Sequence, residues 1–298
     1  MNGIPSERWV EVARRFPRVQ VLQLDQNRGF AGGVNAALAV VHGRWIALIN
    51  DDATVAEDYL ARLLEVTSDE SVGAVAPQMR FAARPDLVNS AGIDVDRLGV
   101  GVDRLLGTPV ADAPVEPHEV FGASGGAALL RRRMLEDVGD LDDRFFAYLE
   151  DVDLAWRARA HGWRCMHVPA AVAWHHHSAS VGHGSSLKHY LVGRNRVRLL
   201  AKNAPTSQLL RHLAATLVYD LAYVVFLAAR DRTLSPLRGR LAGLREWRKF
   251  RRPRGAPFVP ERELARVEGL RRALDRRRAW AVGGSRLASH SPDDQLRR

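Results

Sequence analysis

Apolar positions in the first two thirds of the chain alternate between helical and strand spacing. Trp9, Val12, Ala13 and Phe16 recur with a helical period, which predicts an amphipathic helix over residues 6–16. Residues 19–24 form a short β-rich run, and the small residues of 31–41 suit a helix. Residues 45–49 (Trp-Ile-Ala-Leu-Ile) are an unbroken apolar run of strand length that stops abruptly at Asn50-Asp51-Asp52. Tyr59, Leu60, Leu63 and Leu64 mark a helix, and 72–75 a further strand. Uninterrupted apolar strands between amphipathic helices predict an α/β domain with a Rossmann-like, mostly parallel sheet flanked by helices and buried on both faces. Residues 78–117 have weak periodicity and many Gly, Asp and Pro, so they read as loop or short strands; a long segment of that kind is often functional. Regular patterning returns with a strand at 125–130 and a helix at 131–138. A helix with an acidic first turn follows at 151–161, then strands at 164–168 and 171–174 and a basic helix at 187–202.

Near residue 205 the pattern changes. Residues 209–229 are rich in Leu, Ala, Val and aromatics, and His212, Thr216, Asp220 and Tyr223 make one polar stripe. A membrane span needs roughly 20 apolar residues without a central charge. Asp220 sits near the middle, so the segment predicts a helix lying in a membrane interface or packed on the body. A basic helix is expected over 261–280, and the residues from 281 onward have a disordered composition. The domains expected are therefore 1–205, a helical basic extension over 206–280, and a tail.

Charge sharpens this division. The chain of 298 residues carries a formal net charge of +10. Residues 230–298 hold 20 Lys and Arg against 8 Asp and Glu, a net of +12, leaving −2 for the rest. A near-neutral body with a basic end fits an anionic surface, lipid or nucleic acid, and on charge alone fits a solvated Arg-rich tail equally well. Few aromatics interleave with these cations, which argues against nucleic acid. A single cysteine, Cys165, excludes an internal disulfide framework and fits a reducing compartment, and the first 16 residues lack the pattern of a secretory leader.

Two acidic clusters carry the candidate chemistry. Asn50-Asp51-Asp52 follows a buried strand at its carboxyl end, where open α/β sheets bind ligands, and oxygen ligands there suit Mg²⁺ or Mn²⁺. Glu150-Asp151-Val152-Asp153 begins a helix after the aromatic run Phe145-Phe146-Ala147-Tyr148. Three carboxylates exceed what compensation of a helix dipole needs, and one held near apolar rings suits a general base. Adjacent residues of a strand point to opposite faces, so His175-His176-His177 cannot all reach one metal; one functional histidine with two bystanders is expected, and His183 and His189 read as solvent or phosphate neighbours.

Taken together, these segments resemble the family 2 glycosyltransferases, within them the rhamnosyltransferase-like branch, over residues 19–205. The resemblance rests on Asn27-Arg28-Gly29-Phe30-Ala31-Gly32-Gly33-Val34-Asn35, on Asn50-Asp51-Asp52 at the DxD position, and on Gly125-Gly126-Ala127-Ala128. It continues through Val138 to Phe146 into Glu150-Asp151-Val152-Asp153-Leu154 with Arg157 and Gly162, then His175 with Ser180, and Tyr190 with Arg194-Asn195. It implies a GT-A fold and an inverting transfer of a sugar, such as rhamnose, from a nucleotide-diphosphate donor to a glycan or polyprenyl-linked acceptor in cell-envelope polysaccharide synthesis. The setting would be the cytoplasm, peripheral at the inner face of the cytoplasmic membrane.

By the same resemblance, Asp52, with Asn50 or Asp51, would ligate a divalent metal, Mg²⁺ or Mn²⁺, and His175 would be a further metal or phosphate contact. Asp151 would be the base, Glu150 would orient the acceptor and Asp153 would support the loop. Asn27, Gly29, Phe30, Gly33 and Asn35 would lie by the donor, with Arg194 offsetting charge on the departing diphosphate. The family's usual first two strands, the second ending in D-N-x-S-x-D, have no counterpart in this chain, which implies a domain truncated at its N-terminus. The competing expectation is a non-catalytic binding module that kept the fold without the nucleotide pocket.

Overall fold

The structure, a computed structural model, describes residues 11, 13–176, 185–252 and 255–266. Its elements are α1 (Gly29–Leu38), β1 (Trp45–Ile49), β2 (Ala53–Val55), α2 (Tyr59–Leu64), β3 (Val72–Phe81), β4 (Arg84–Ser90), β5 (Ile93–Val95), β6 (Gly101–Asp103) and β7 (His118–Val120). Then come β8 (Ala127–Arg131), α3 (Arg132–Val138), α4 (Glu150–Ala160), β9 (Arg164–His175), α5 (Ser186–Asn203), α6 (Thr206–Arg211), α7 (Leu213–Asp231), α8 (Ser235–Arg245) and α9 (Trp247–Phe250).

A seven-stranded sheet runs β1-β8-β3-β9-β2, with β4 on β3 and β7 on β9. The α/β class holds, but the sheet is mixed rather than mostly parallel: β3 and β9 pair in parallel, and the other strand pairs of this sheet are antiparallel. Apolar runs mark strands buried on both faces and carry no information on direction.

Two prolines shape the parallel pair. The register slips between Pro77↔Val168 and Gln78↔Val172, so the segment around Pro169 bulges out opposite Pro77. Proline cannot donate to a ladder, and a bulge removes that demand. Hence β3 runs through Pro77 to Phe81, and the two strands expected at 164–168 and 171–174 are one, β9. Residues 78–117 hold the end of β3, β4 and the β5–β6 hairpin. Residues 19–23 are irregular, with one bridge at Leu24.

Two core layers cover the sheet. One packs Ala74, Ala76, Leu130, Met134, Leu135, Leu154 and Cys165 between strands and the α3–α4 side. The other packs Tyr59 and Leu63 of α2 on Val72, Val75, Met79, Leu129 and Val168.

The helical extension is part of the same body. Phe250, Val259 and Leu264 are buried with Phe145, Trp156 and Leu199. Helix α8 crosses α5 on glycines: a Cβ at Gly239 would fall 2.1 Å from the Tyr190 carbonyl oxygen, and one at Gly193 2.5 Å from that of Pro236. Of the helix expected over 261–280, the first residues form a 3₁₀ turn at Glu261–Glu263, after which Ala265 bridges Asp96, and the rest lies outside the described residues. Most of the helix expected over 6–16, and residues 267–298, lie outside the described residues, as do His177, Ser180 and His183.

Candidate active site

The two acidic clusters, a hundred residues apart in sequence, meet across one dipeptide. At the carboxyl end of β1 the Asn50 N–H donates to the Gly126 carbonyl at 3.0 Å. On the other side of that segment the Gly125 N–H donates to Asp151 Oδ2 at 2.9 Å. Side chains larger than hydrogen would be crowded here. A Cβ on Gly125 would lie 3.1 Å from the Phe30 ring, and one on Gly126 2.7 Å from Met79.

Asp151 Oδ1 also accepts from the Val152 N–H at 2.8 Å. Its carboxyl borders a small, largely apolar cavity of about 30 Å³ lined by Leu48, Met134, Leu141, Leu154 and Cys165. Burial pushes its pKa up, partly offset by the two N–H donors. Glu150 is pushed well above the usual carboxylate range by burial, and next by the neighbouring Asp151 charge. Its Oε2 is buried without a hydrogen-bond partner. Burial thus favours the protonated form of both carboxyls, more strongly at Glu150, and only Asp151 has N–H donors that favour its charged form.

Asp153 has a different part. It is fully buried. Its Oδ2 receives Arg157 and Lys202, each at 2.8 Å, and its Oδ1 receives Asn203 at 2.8 Å. Arg157 in turn donates to the carbonyls of Val138, Gly139 and Asp140, while Lys202 reaches Asp142. With no surface to offer a substrate, Asp153 positions the 138–146 loop and is not a catalytic group.

That loop enters α4 through strained backbone. Phe146, Tyr148 and Leu149 all have positive φ, at 68°, 70° and 69°. Phe146 (ψ −66°) is the centre of a γ-turn closed by the Ala147 N–H on the Phe145 carbonyl at 2.9 Å. Such residues cost about 1–3 kcal/mol each and persist only where surroundings over-determine them. Here Asn195 does so: its buried Nδ2 lies 2.9, 2.8 and 2.7 Å from the carbonyls of Phe145, Ala147 and Tyr148. Arg194 adds a bond to the Phe145 carbonyl at 2.9 Å. Replacing Asn195 with Ala removes this donor from the Ala147 and Tyr148 carbonyls and leaves Phe145 only Arg194 and the Ala147 N–H. We expect a loss of about 1–3 kcal/mol in thermal unfolding and a slower reaction, with circular dichroism in the far ultraviolet unchanged.

The residues expected by the donor are brought to this loop. Asn27 Oδ1 accepts from the Gly29 N–H at 2.8 Å and so turns the chain into α1. Gly29 has φ +70°, and a Cβ there would meet the Phe146 carbonyl at 2.2 Å. Asn35 Nδ2 donates to the Leu141 carbonyl at 2.7 Å. Phe30 lies against Gly125, and Gly33 lies within α1, half-buried. Asn35 and the Ala31 N–H, which donates to the Phe146 carbonyl at 3.1 Å, therefore anchor α1 to the 141–146 loop, with Asn27 shaping the turn into the helix.

Of the expected metal ligands, the structure brings Asp52 and His175 together. His175, the last residue of β9, pairs with Ala53 of β2, which sets its Nε2 3.0 Å from Asp52 Oδ1. Among the described residues, no third histidine, cysteine or carboxylate joins them. Asn50 is tied by its main chain, and Asp51 is exposed. Asn89, unremarked in the sequence, has its Oδ1 3.1 Å from His175 Nδ1. With an Nε2–H the histidine donates to Asp52 directly, and with the proton on Nδ1 facing Asn89 the Nε2 lone pair and the Asp52 oxygen are both open to a cation. Neighbouring ligand atoms on an octahedral ion at 2.0–2.1 Å lie about 3 Å apart, so the pair fits two adjacent positions of such an ion. His189, by contrast, is buried and bonded to Asp231 at 3.0 Å, away from solvent.

Comparisons with known proteins bear on the family and the fold. An N-acetylglucosaminyl-diphospho-decaprenol L-rhamnosyltransferase of Mycobacterium tuberculosis (strain ATCC 25618 / H37Rv) is 29% identical over 206 residues, covering 61% of this chain and 66% of that protein. The succinoglycan biosynthesis protein ExoO of Rhizobium meliloti (strain 1021) is 30% identical over 159 residues, covering 52% of this chain and 44% of that protein. The chain thus spans just under two thirds of the first relative and less than half of the second. The crystal structure of GalNAc-T7 with UDP, GalNAc and Mn²⁺ superposes with a TM-score of 0.54 at 14% identity, covering 86% of this chain and 50% of that one, a likeness of fold. The architecture is GT-A. The profile described as "Glycosyltransferase like family 2" matches residues 7–197, and with well over half its length inside that match the chain belongs to this family.

Proposed function

We propose that this chain carries out an inverting glycosyl transfer from a nucleotide-diphosphate sugar to a hydroxyl of a glycan or polyprenyl-linked acceptor in cell-envelope polysaccharide synthesis, at the cytoplasmic face of the membrane. The observation that carries the reading is the Gly125-Gly126 link, which holds Asp151 and the Asn50–Asp52 turn at one place on the sheet. In this reading Asp151 takes the acceptor proton, the acceptor oxygen bonds to the anomeric carbon, and the bond from that carbon to the diphosphate oxygen breaks with its electron pair leaving on the diphosphate. Asp52 and His175 would hold a divalent cation, which supplies charge for the departing diphosphate. Arg194, half-buried beside the loop, adds positive potential on that side, while Glu150 orients the acceptor. Rhamnose is the favoured sugar, supported by the rhamnosyltransferase relative.

Incubating the chain with Mn²⁺ or Mg²⁺ and a panel of deoxythymidine, uridine and guanosine diphosphate sugars tests this. Donor turnover that disappears in Asp151→Asn supports the reading. No turnover of any donor, together with identical behaviour of wild type and Asp151→Asn, sinks it.

The metal assignment has its own check. Asn89→Ala removes the group that orients His175 and is expected to weaken Mn²⁺ binding about 10–100-fold. Titration followed by the Mn²⁺ electron paramagnetic resonance signal reads this without turnover; unchanged affinity would remove Asp52 and His175 from the metal's ligand set.

A further inference from the structure

Helices α7 and α8 are amphipathic in the inverted sense. On α7 the polar stripe faces the body. His212 bonds Glu261 at 2.8 Å, and Asp220 Oδ1 receives Arg196 at 2.7 Å and Arg240 at 2.8 Å. Tyr223 lies under the Arg240 guanidinium. Leu213, Leu217, Val218, Leu221 and Val225 point outward, 51 to 69% exposed, and only Val224 and Leu227 are buried. On α8, Leu237, Leu241 and Leu244 are likewise exposed, at helical spacing. A soluble surface does not normally present two adjoining leucine faces.

The cations fall beside these faces. Arg211 lies at the junction before α7 and Arg230 at the end of α7, Arg232 begins the turn into α8, and Arg238, Arg245 and Arg248 follow along α8 and α9, all exposed. Leucine flanked by exposed arginine is the complement of an acyl-chain boundary beneath anionic headgroups.

We infer that the outer faces of α7 and α8 dock the protein on an anionic phospholipid bilayer, with α7 lying in the plane of the interface. Its 19 residues and mean hydropathy of 1.6 would suffice for a span. A span would require pulling Asp220 from Arg196 and Arg240 into hydrocarbon, whereas in-plane docking keeps every one of those bonds. The glycine contacts set α8 directly on α5, the helix whose Asn195 holds the loop before Asp151. At a helix–helix separation of about 8–10 Å, docking brings the Asp151 side of the protein one helix layer from lipid. This inference stands on the surface alone and needs no donor, so it can fail while the glycosyl-transfer reading survives, and the reverse.

Flotation of the full chain with vesicles tests it. Binding is expected to vesicles of phosphatidylcholine with phosphatidylglycerol, to weaken in pure phosphatidylcholine, and to be removed by an alkaline wash. Leu217→Asp with Leu221→Asp should lower binding by at least about tenfold with an unchanged melting curve, since both side chains are exposed. Arg238→Gln with Arg245→Gln should remove the preference for phosphatidylglycerol. Four results would each overturn the inference: no binding to either vesicle, undiminished binding of the leucine double variant, resistance to the alkaline wash, or a wild-type dimer in light scattering that the leucine variant makes monomeric.

Discussion

Asp151→Asn is expected to lower kcat by about 10²–10⁴-fold while leaving donor binding near its wild-type value. The substitution keeps the shape of the side chain, and its carbonyl oxygen can still accept from the Gly125 N–H, so the fold around the Gly125-Gly126 link should persist. What disappears is the capacity to take a proton. A pH profile adds an independent reading. Burial raises the Asp151 pKa, so the proton that must be absent for catalysis is held to higher pH than in an ordinary aspartate. Activity should therefore fall as pH drops through that raised value, and the acid limb of kcat/KM should lie above that of an ordinary aspartate. An acid limb that stays unchanged in Asp151→Asn, on a comparable kcat, would assign the base elsewhere.

The largest effect on stability is expected from Asp153→Ala. It leaves the buried Arg157 and Lys202 without their shared counter-charge, and breaking a buried pair from one side costs about 3–5 kcal/mol. Denaturant unfolding of the variant should show that loss. Because Arg157 and Lys202 also hold the carbonyls and carboxylate of the 138–146 loop, activity should fall even well below the midpoint of unfolding. Asp153→Asn should be milder, since it keeps an acceptor for one donor. A change under about 1 kcal/mol for Asp153→Ala would mean that the two cations find other partners.

These two carboxylates show where sequence reading reaches and where it stops. Both stood out as members of one acidic cluster at a helix start, and strand β1 with its terminal Asn50-Asp51-Asp52 was legible because an unbroken apolar run ending in acids has few other readings. Helices α3, α4 and α5 were legible from their period. The separate fates of Asp151 and Asp153 were not, because they depend on Lys202 and Asn203, fifty residues away. Asn89 lay hidden in a segment whose strands are too short to show alternation. The length of β3 was obscured by Pro77, whose bulge is explained only by Pro169 opposite it. The stripe on α7 was visible, but periodicity does not say which side of a helix faces inward, and here it is the polar one.

The Gly125-Gly126 link has a consequence for how this scaffold can vary. One rigid stretch of main chain sets the spacing between the turn that would hold the leaving group and the base that would act on the acceptor, and no side chain intervenes. The link works as a fixed gauge. Walls around it can be recut to admit a different sugar or acceptor, but lengthening the 124–126 segment by one residue would put leaving group and base out of step at once. Diversification on this frame should therefore proceed by substitution around the gauge and by insertion everywhere except within it.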